Sequence, residues 1–125
     1  CDENNLRACA EALQNVRIHH SYFDHMRSEA QADDFLYFDP PYVPVSATAS
    51  FTSYTKNGFG ILDQRMLRDL ALELKTKGSH VMLSNADHEL VHELYHGFSI
   101  RSIRVGRAIN CKGGARGAVG EVVIT

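Results

Sequence analysis

The sequence predicts an α/β domain with a mostly parallel sheet and a final antiparallel strand. Three observations carry that prediction. Short β-like runs alternate with segments of helical periodicity, the pattern of strand–helix–strand units. The run Phe35-Leu36-Tyr37-Phe38 is apolar at every position, as expected of a strand covered on both faces. The last two β-like stretches are joined by a loop without a helical pattern between them, which adds an antiparallel strand at the end. At 125 residues the chain is read as one unit, 1–125, long enough to bury a core.

Taken in order, residues 2–15 form a first helix. Asp2, Glu3, Asn4 and Asn5 supply cap and first-turn chemistry, and Leu6, Cys9, Ala10 and Leu13 recur at helical spacing. Residues 16–23 (VRIHHSYF) read as a short strand, and 24–32 as polar and irregular. The strand 34–38 follows and is ended by Pro40 and Pro41, which cannot donate to a ladder. Residues 42–60 are a long loop rich in Ser, Thr, Gly and aromatics. Asp63 caps a helix reaching Lys77, with Met66, Leu67, Leu70, Ala71 and Leu74 as its apolar stripe and Gly78 as its stop. His80–Ser84 is the next strand, 87–96 a helix stopped by Gly97, 98–105 a strand, 106–117 a loop, and 121–125 the last strand.

The net charge of −2 is not that of a strongly basic nucleic-acid module. From Arg101 to Arg116, however, there are five basic residues and no acidic one. Such a stretch suits phosphate contacts or a solvated tail. Cysteine is sparse (Cys1, Cys9, Cys111) and forms no CxxC pair, which favours a reducing, cytoplasmic setting over a disulfide scaffold. No apolar run approaches the roughly 20 residues of a membrane-spanning helix.

Asp39-Pro40-Pro41-Tyr42 carries the chemistry. It lies at the carboxyl end of a strand, where open α/β sheets bind ligands. The prolines fix φ, offer no N–H, and leave carbonyl oxygens pointing outward from a stiff turn. Asp39 is a costly carboxylate to bury without a partner, and Tyr42 adds an aromatic face. A flat ring bearing an amine with two hydrogens fits: its N–H groups meet Asp39 and the Pro40 carbonyl, and its ring stacks on Tyr42. Strand punctuation alone is the structural alternative.

DFLYFDPPY, then FTSYTKNGF, LSNAD after the next strand, and the R-A-I-N…G-G-x-R-x-x-V-x-E pattern at 107–121 together resemble the Dam-type (D12 class) adenine-N6 DNA methyltransferases. The resemblance runs over nearly the whole chain from about residue 6. It implies the carboxyl-terminal part of a Rossmann-like class I methyltransferase sheet. It also implies transfer of a methyl group from S-adenosylmethionine to the N6 amine of adenine in duplex DNA, with the base flipped out of the stack. The commonest expectation for the type is GATC. The roles it implies are catalytic for Asp39, Pro40, Pro41 and Tyr42. Phe23 and Asp39 are placed near the cofactor, Phe23 being otherwise a core residue. Tyr42, Phe51, Tyr54, Arg107 and Arg116 are placed at the substrate, the loop aromatics being otherwise loop packing and the arginines a solvated face. Asn85 is read as a turn or cap residue at the site edge. Neither a metal nor a nucleophilic cysteine is needed, and the setting implied is the cytoplasm of a bacterium or a phage host.

The family's Phe-x-Gly-x-Gly cofactor turn is absent from this sequence, Gly58-Phe59-Gly60 being a single glycine pair inside the aromatic loop. There is also no room for a target-recognition domain before Asp39. With its start at Cys1 in a helix-like segment, the chain is read as a piece of a longer protein, one whose open sheet edge favours self-association. Two other readings stand beside the enzyme: a non-catalytic truncated domain, and a related methyltransferase acting on RNA adenine or a protein amide. A remote alternative is a zinc hydrolase, because His88-Glu89-Leu90-Val91-His92 matches H-E-x-x-H.

Overall fold

The computed structural model describes residues 2–43, 58–105 and 119–125. Its elements are α1 (Glu3–Ala12), a 3-10 turn (Phe23–His25), α2 (Met26–Glu29), β1 (Phe35–Phe38), α3 (Ile61–Thr76), β2 (His80–Ala86), α4 (Glu89–Leu94), β3 (Ile100–Val105) and β4 (Val119–Ile124). The mixed four-stranded sheet has the order β1-β2-β4-β3. β1 and β2 pair in parallel, while β4 is antiparallel to both β2 and β3. The final strand is therefore antiparallel as expected, but it lies inside the sheet. The strands β1, β2 and β3 share one direction.

One face of this sheet is covered. Leu36, Val81, Leu83, Val122 and Ile124 alternate onto it and join Leu67, Leu70, Ala71 and Leu74 of α3 and Val91 and Tyr95 at α4 in a single core. The other side of β1 is open, with Phe35 64% and Tyr37 55% exposed. The expectation of a strand covered on both faces is thus corrected: among the described residues β1 is at the edge of the sheet and has one covered face.

Residues 16–23 are not a strand. The chain from 16 to 22 has no regular structure, Ile18 is exposed, and Phe23 opens the 3-10 turn. None of the four strands of the sheet comes from this segment. α1 is capped as expected, Asp2 accepting from the Asn5 N–H at 3.1 Å, yet it buries none of its residues. α3 starts two residues before the expected cap. Gly60 occupies the N-cap, and Asp63, at the third helical position, accepts from the Gly60 N–H at 2.7 Å. Its end is as expected. Gly78 has φ +95°, the Gly78 N–H donates to Lys75 O and the Ser79 N–H to Leu74 O, a Schellman closure.

Tyr95 is fully buried, edge-on to Phe98 at 5.6 Å, and its hydroxyl has no hydrogen-bond partner among the described residues. Burial pushes the phenol far above its ordinary range. An unsatisfied buried hydroxyl costs roughly 1–3 kcal/mol. Tyr95→Phe is therefore expected to raise stability by about 1 kcal/mol, read as an upward shift of the thermal midpoint; a downward shift would mean that the hydroxyl is satisfied.

Candidate active site

β1 enters α3, and α3 returns to β2 in parallel, so the amino end of α3 lies at the carboxyl end of β1 and β2. Asp39-Pro40-Pro41-Tyr42 occupies that end. Pro40 and Val43 are buried and Tyr42 is half-buried, while Asp39 and Pro41 are exposed. The expected problem of a buried Asp39 carboxylate does not arise. Its Oδ1 accepts from Ser84 Oγ at 2.6 Å, and its remaining acceptor capacity faces outward.

Two buried amides hold the turn from beneath. Gln64 Nε2 donates to Pro41 O at 2.9 Å. Asn85 Oδ1 accepts from the Val43 N–H at 3.0 Å and from the Ala86 N–H at 2.9 Å. The amides are joined to each other, Asn85 Nδ2 donating to Gln64 Oε1 at 3.1 Å. Of the two carbonyls expected to point outward, Pro41's is therefore engaged inward. Asn85 is corrected as well: it lies within β2, is 1% exposed, and bridges two segments of chain.

Tyr42 OH donates to Glu121 Oε2 at a long 3.4 Å. Burial raises the Tyr42 phenol, a Ser84 hydrogen bond opposes that, and the carboxylates of Glu121 and Asp39 add to the rise. Four residues from β2, β4 and the turn thus form one polar group around a half-exposed ring.

Phe23 packs against the core and contacts the Phe59 ring at 5.6 Å, just before α3. Both rings stand at the same end of the sheet as Asp39. The neighbouring Tyr22 hydroxyl donates to Asp63 Oδ1. That bond lifts the Tyr22 phenol to about 12 and holds the Asp63 carboxyl below its usual range, with the Gly60 N–H assisting. The signs set two pH windows. A raised phenol contributes stability below the ordinary tyrosine range that is lost as pH rises toward about 12. A lowered carboxyl contributes stability above its unfolded value that is lost on acidification. Tyr22→Phe is expected to flatten the stability curve at both ends and to remove one late phenol from an absorbance titration.

Beyond β2, Asp87 meets His92 Nε2 at 2.7 Å, and its N–H donates to Gly120 O at 2.9 Å. His92 first, then Ser102, hold the Asp87 carboxyl below its usual range. A Cβ on Gly120 would lie 2.9 Å from Asp87 Cβ, so only glycine fits there. The H-E-x-x-H reading fails on geometry. His88 precedes the helix in extended backbone and accepts the Leu90 N–H through Nδ1, so His88 and His92 are not two ligands one turn apart. Among the described residues no cluster of three or more His, Cys, Asp or Glu is arranged to hold a metal.

Phe51, Tyr54, Arg107 and Arg116 lie outside the described residues. Gln64, Ser84 and the Asn85 bridge were not legible as site residues. Gln64 did leave one signal. It precedes Leu67 by three and Ala71 by seven, and so places a polar residue on the buried face of α3, from which Met66 is turned away.

A family model for the D12 class N6 adenine-specific DNA methyltransferases matches residues 1–109. The type II methyltransferase M1.LlaDCHI of Lactococcus lactis subsp. cremoris is 42% identical over 126 residues, covering 99% of this chain and 44% of that protein. The type II methyltransferase M.MjaIII of Methanocaldococcus jannaschii is 41% identical over 116 residues, covering 92% and 40%. The DNA adenine methylase of Escherichia coli strain K12 is 39% identical over 124 residues, covering 97% and 44%. The chain spans less than half the length of these curated relatives.

Proposed function

The chain belongs to the D12 class of N6 adenine-specific DNA methyltransferases, and on that premise we propose that its protein methylates the N6 amine of adenine in duplex DNA, with S-adenosylmethionine as donor and GATC as the expected target. The observation that carries this reading is the Asp39–Tyr42 turn, anchored from below at Pro41 and Val43 and open above at Asp39. The sheet supports a Rossmann-like class, with three strands running one way and the final strand inserted antiparallel.

Asp39 accepts one N6 hydrogen and the Pro40 carbonyl accepts the other, orienting the nitrogen lone pair. Ser84 fixes the Asp39 carboxylate by occupying one of its oxygens. Tyr42 stacks on the flipped base, which repays part of an unstacking cost of a few kcal/mol. Positioning of this kind supplies several kcal/mol of a transfer barrier. S-adenosylmethionine supplies the methyl group when bound. The residues present fit part of its site: the half-buried Phe23 and Phe59 rings offer an apolar face for its purine. Arg107 and Arg116 contact DNA phosphate, and Phe51 and Tyr54 shape the base pocket. The open β1 edge, flanked by exposed Phe35 and Tyr37, supports pairing between copies of the isolated segment.

The test is methyl transfer by the intact protein to duplex DNA, structured RNA and peptide offered in parallel, followed by digestion and mass spectrometry. N6-methyladenine in the duplex, enriched at GATC, is the expected product. Methylated RNA or peptide with unmodified DNA would overturn the assignment.

A further inference from the structure

We propose that Gln64 and Asn85 are positioning residues that set the catalytic turn, acting on Asp39 and Tyr42 through the backbone. The proposal rests on the adenine methyltransferase reading above and goes beyond it by naming what fixes the geometry.

The turn has few means of holding itself. Pro40 and Pro41 have no N–H, and β1 ends at Phe38. Beside the side-chain bonds of Asp39 to Ser84 and of Tyr42 to Glu121, its backbone anchors among the described residues are Pro41 O and the Val43 N–H, on either side of Tyr42, and both are made by these two amides. The amide orientations follow from one another. Val43 and Ala86 both donate, so the carbonyl oxygen of Asn85 must face them. The amino group of Asn85 then faces Gln64, whose carbonyl oxygen receives it. That leaves the amino group of Gln64 aimed at Pro41 O. A reversed amide at either residue would set donor against donor or acceptor against acceptor.

Gln64 and Asn85 are 2% and 1% exposed. Apolar residues of similar size would fill that volume without the desolvation cost of two amides, but would leave Pro41 O and the Val43 N–H without these anchors. The network thus spends packing economy on the placement of one turn. A shift near 1 Å in a reacting geometry costs about 10²-fold in rate, which sets the expected effect.

The experiment uses Gln64→Glu and Asn85→Asp in the intact protein, with the uncharged Gln64→Met as a second variant in case a buried carboxylate prevents folding. Gln64→Met removes the donor to Pro41 O outright, and Gln64→Glu removes it when the carboxyl is ionised, a protonated carboxyl keeping one O–H to donate. Asn85→Asp keeps the acceptor for Val43 but no longer orients Gln64. Single-turnover methyl transfer is expected to fall about 10²-fold for the Gln64 variants, with KM for duplex DNA and for S-adenosylmethionine changed less than about threefold. Asn85→Asp is expected to fall less. Site-resolved hydrogen exchange is expected to quicken at Val43 in the Gln64 variants and to stay unchanged at Leu83 in the core.

Quickened exchange at Val43 with an unchanged rate would overturn the positioning role. Unchanged exchange at Val43 would overturn the clamp itself. If the unsubstituted intact protein methylates no adenine, the functional reading fails and the exchange at Val43 alone decides whether the clamp holds the turn.

Discussion

Asp39→Ala in the intact protein is expected to lower single-turnover methyl transfer to duplex DNA about a thousandfold, the scale of losing one preorganised polar contact at a reacting group. Stability should move little by comparison. Asp39 is exposed, so its removal costs mainly the acceptor for Ser84 Oγ. Asp39→Asn separates the two functions. The amide still offers Ser84 an oxygen, but its own N–H groups then face the incoming amine. Transfer should therefore stay low in Asp39→Asn while the thermal midpoint recovers. A rate near that of the unsubstituted protein in either variant would remove Asp39 from the mechanism and leave the turn as strand punctuation.

The second large effect is in the core. Leu70 is fully buried at the centre of α3, on the face that meets β2. Leu70→Ala removes three carbons from a close-packed site and is expected to cost about 2–5 kcal/mol, by lost transfer energy plus the cavity left behind. Leu72→Ala, two residues away and 54% exposed, is the control and should stay within about 0.5 kcal/mol. Urea unfolding of the intact protein distinguishes them: the Leu70 variant should shift the midpoint with its slope unchanged. Equal effects at the two positions would mean that α3 does not present this face to the sheet.

The contrast between Leu70 and Leu72 also shows what kind of information a sequence carries. Helical periodicity located α3, with Leu67, Leu70, Ala71 and Leu74 on its buried face, because burial repeats with the turn of the helix. An apolar run located β1, and the prolines located its end. What failed was long-range. A strand was expected at 16–23 from β-branched and aromatic residues, but nothing local says whether a sheet has a place for it. Full cover was expected for β1, but cover depends on what else packs there. His88 matched a zinc pattern, yet its backbone makes it a helix cap. The site divides along the same line. Asp39–Tyr42 was legible because its chemistry is contiguous. Gln64 and Asn85 were not, because each acts on a backbone group 23 or 42 residues away.

The insertion of β4 between β2 and β3 bears on how the protein is made. A strand that follows β3 in sequence but lies between β2 and β3 must be received into a gap. Until Val119–Ile124 docks, β3 has no neighbour among the described strands and β2 has one of its two. Contacts of high sequence separation form slowly because loop closure precedes any reward. The slot between β2 and β3 is filled by β4, and Glu121, which faces Tyr42, arrives with that strand. Closure of the sheet and completion of the polar group at its carboxyl end are therefore coupled, because the same strand supplies both.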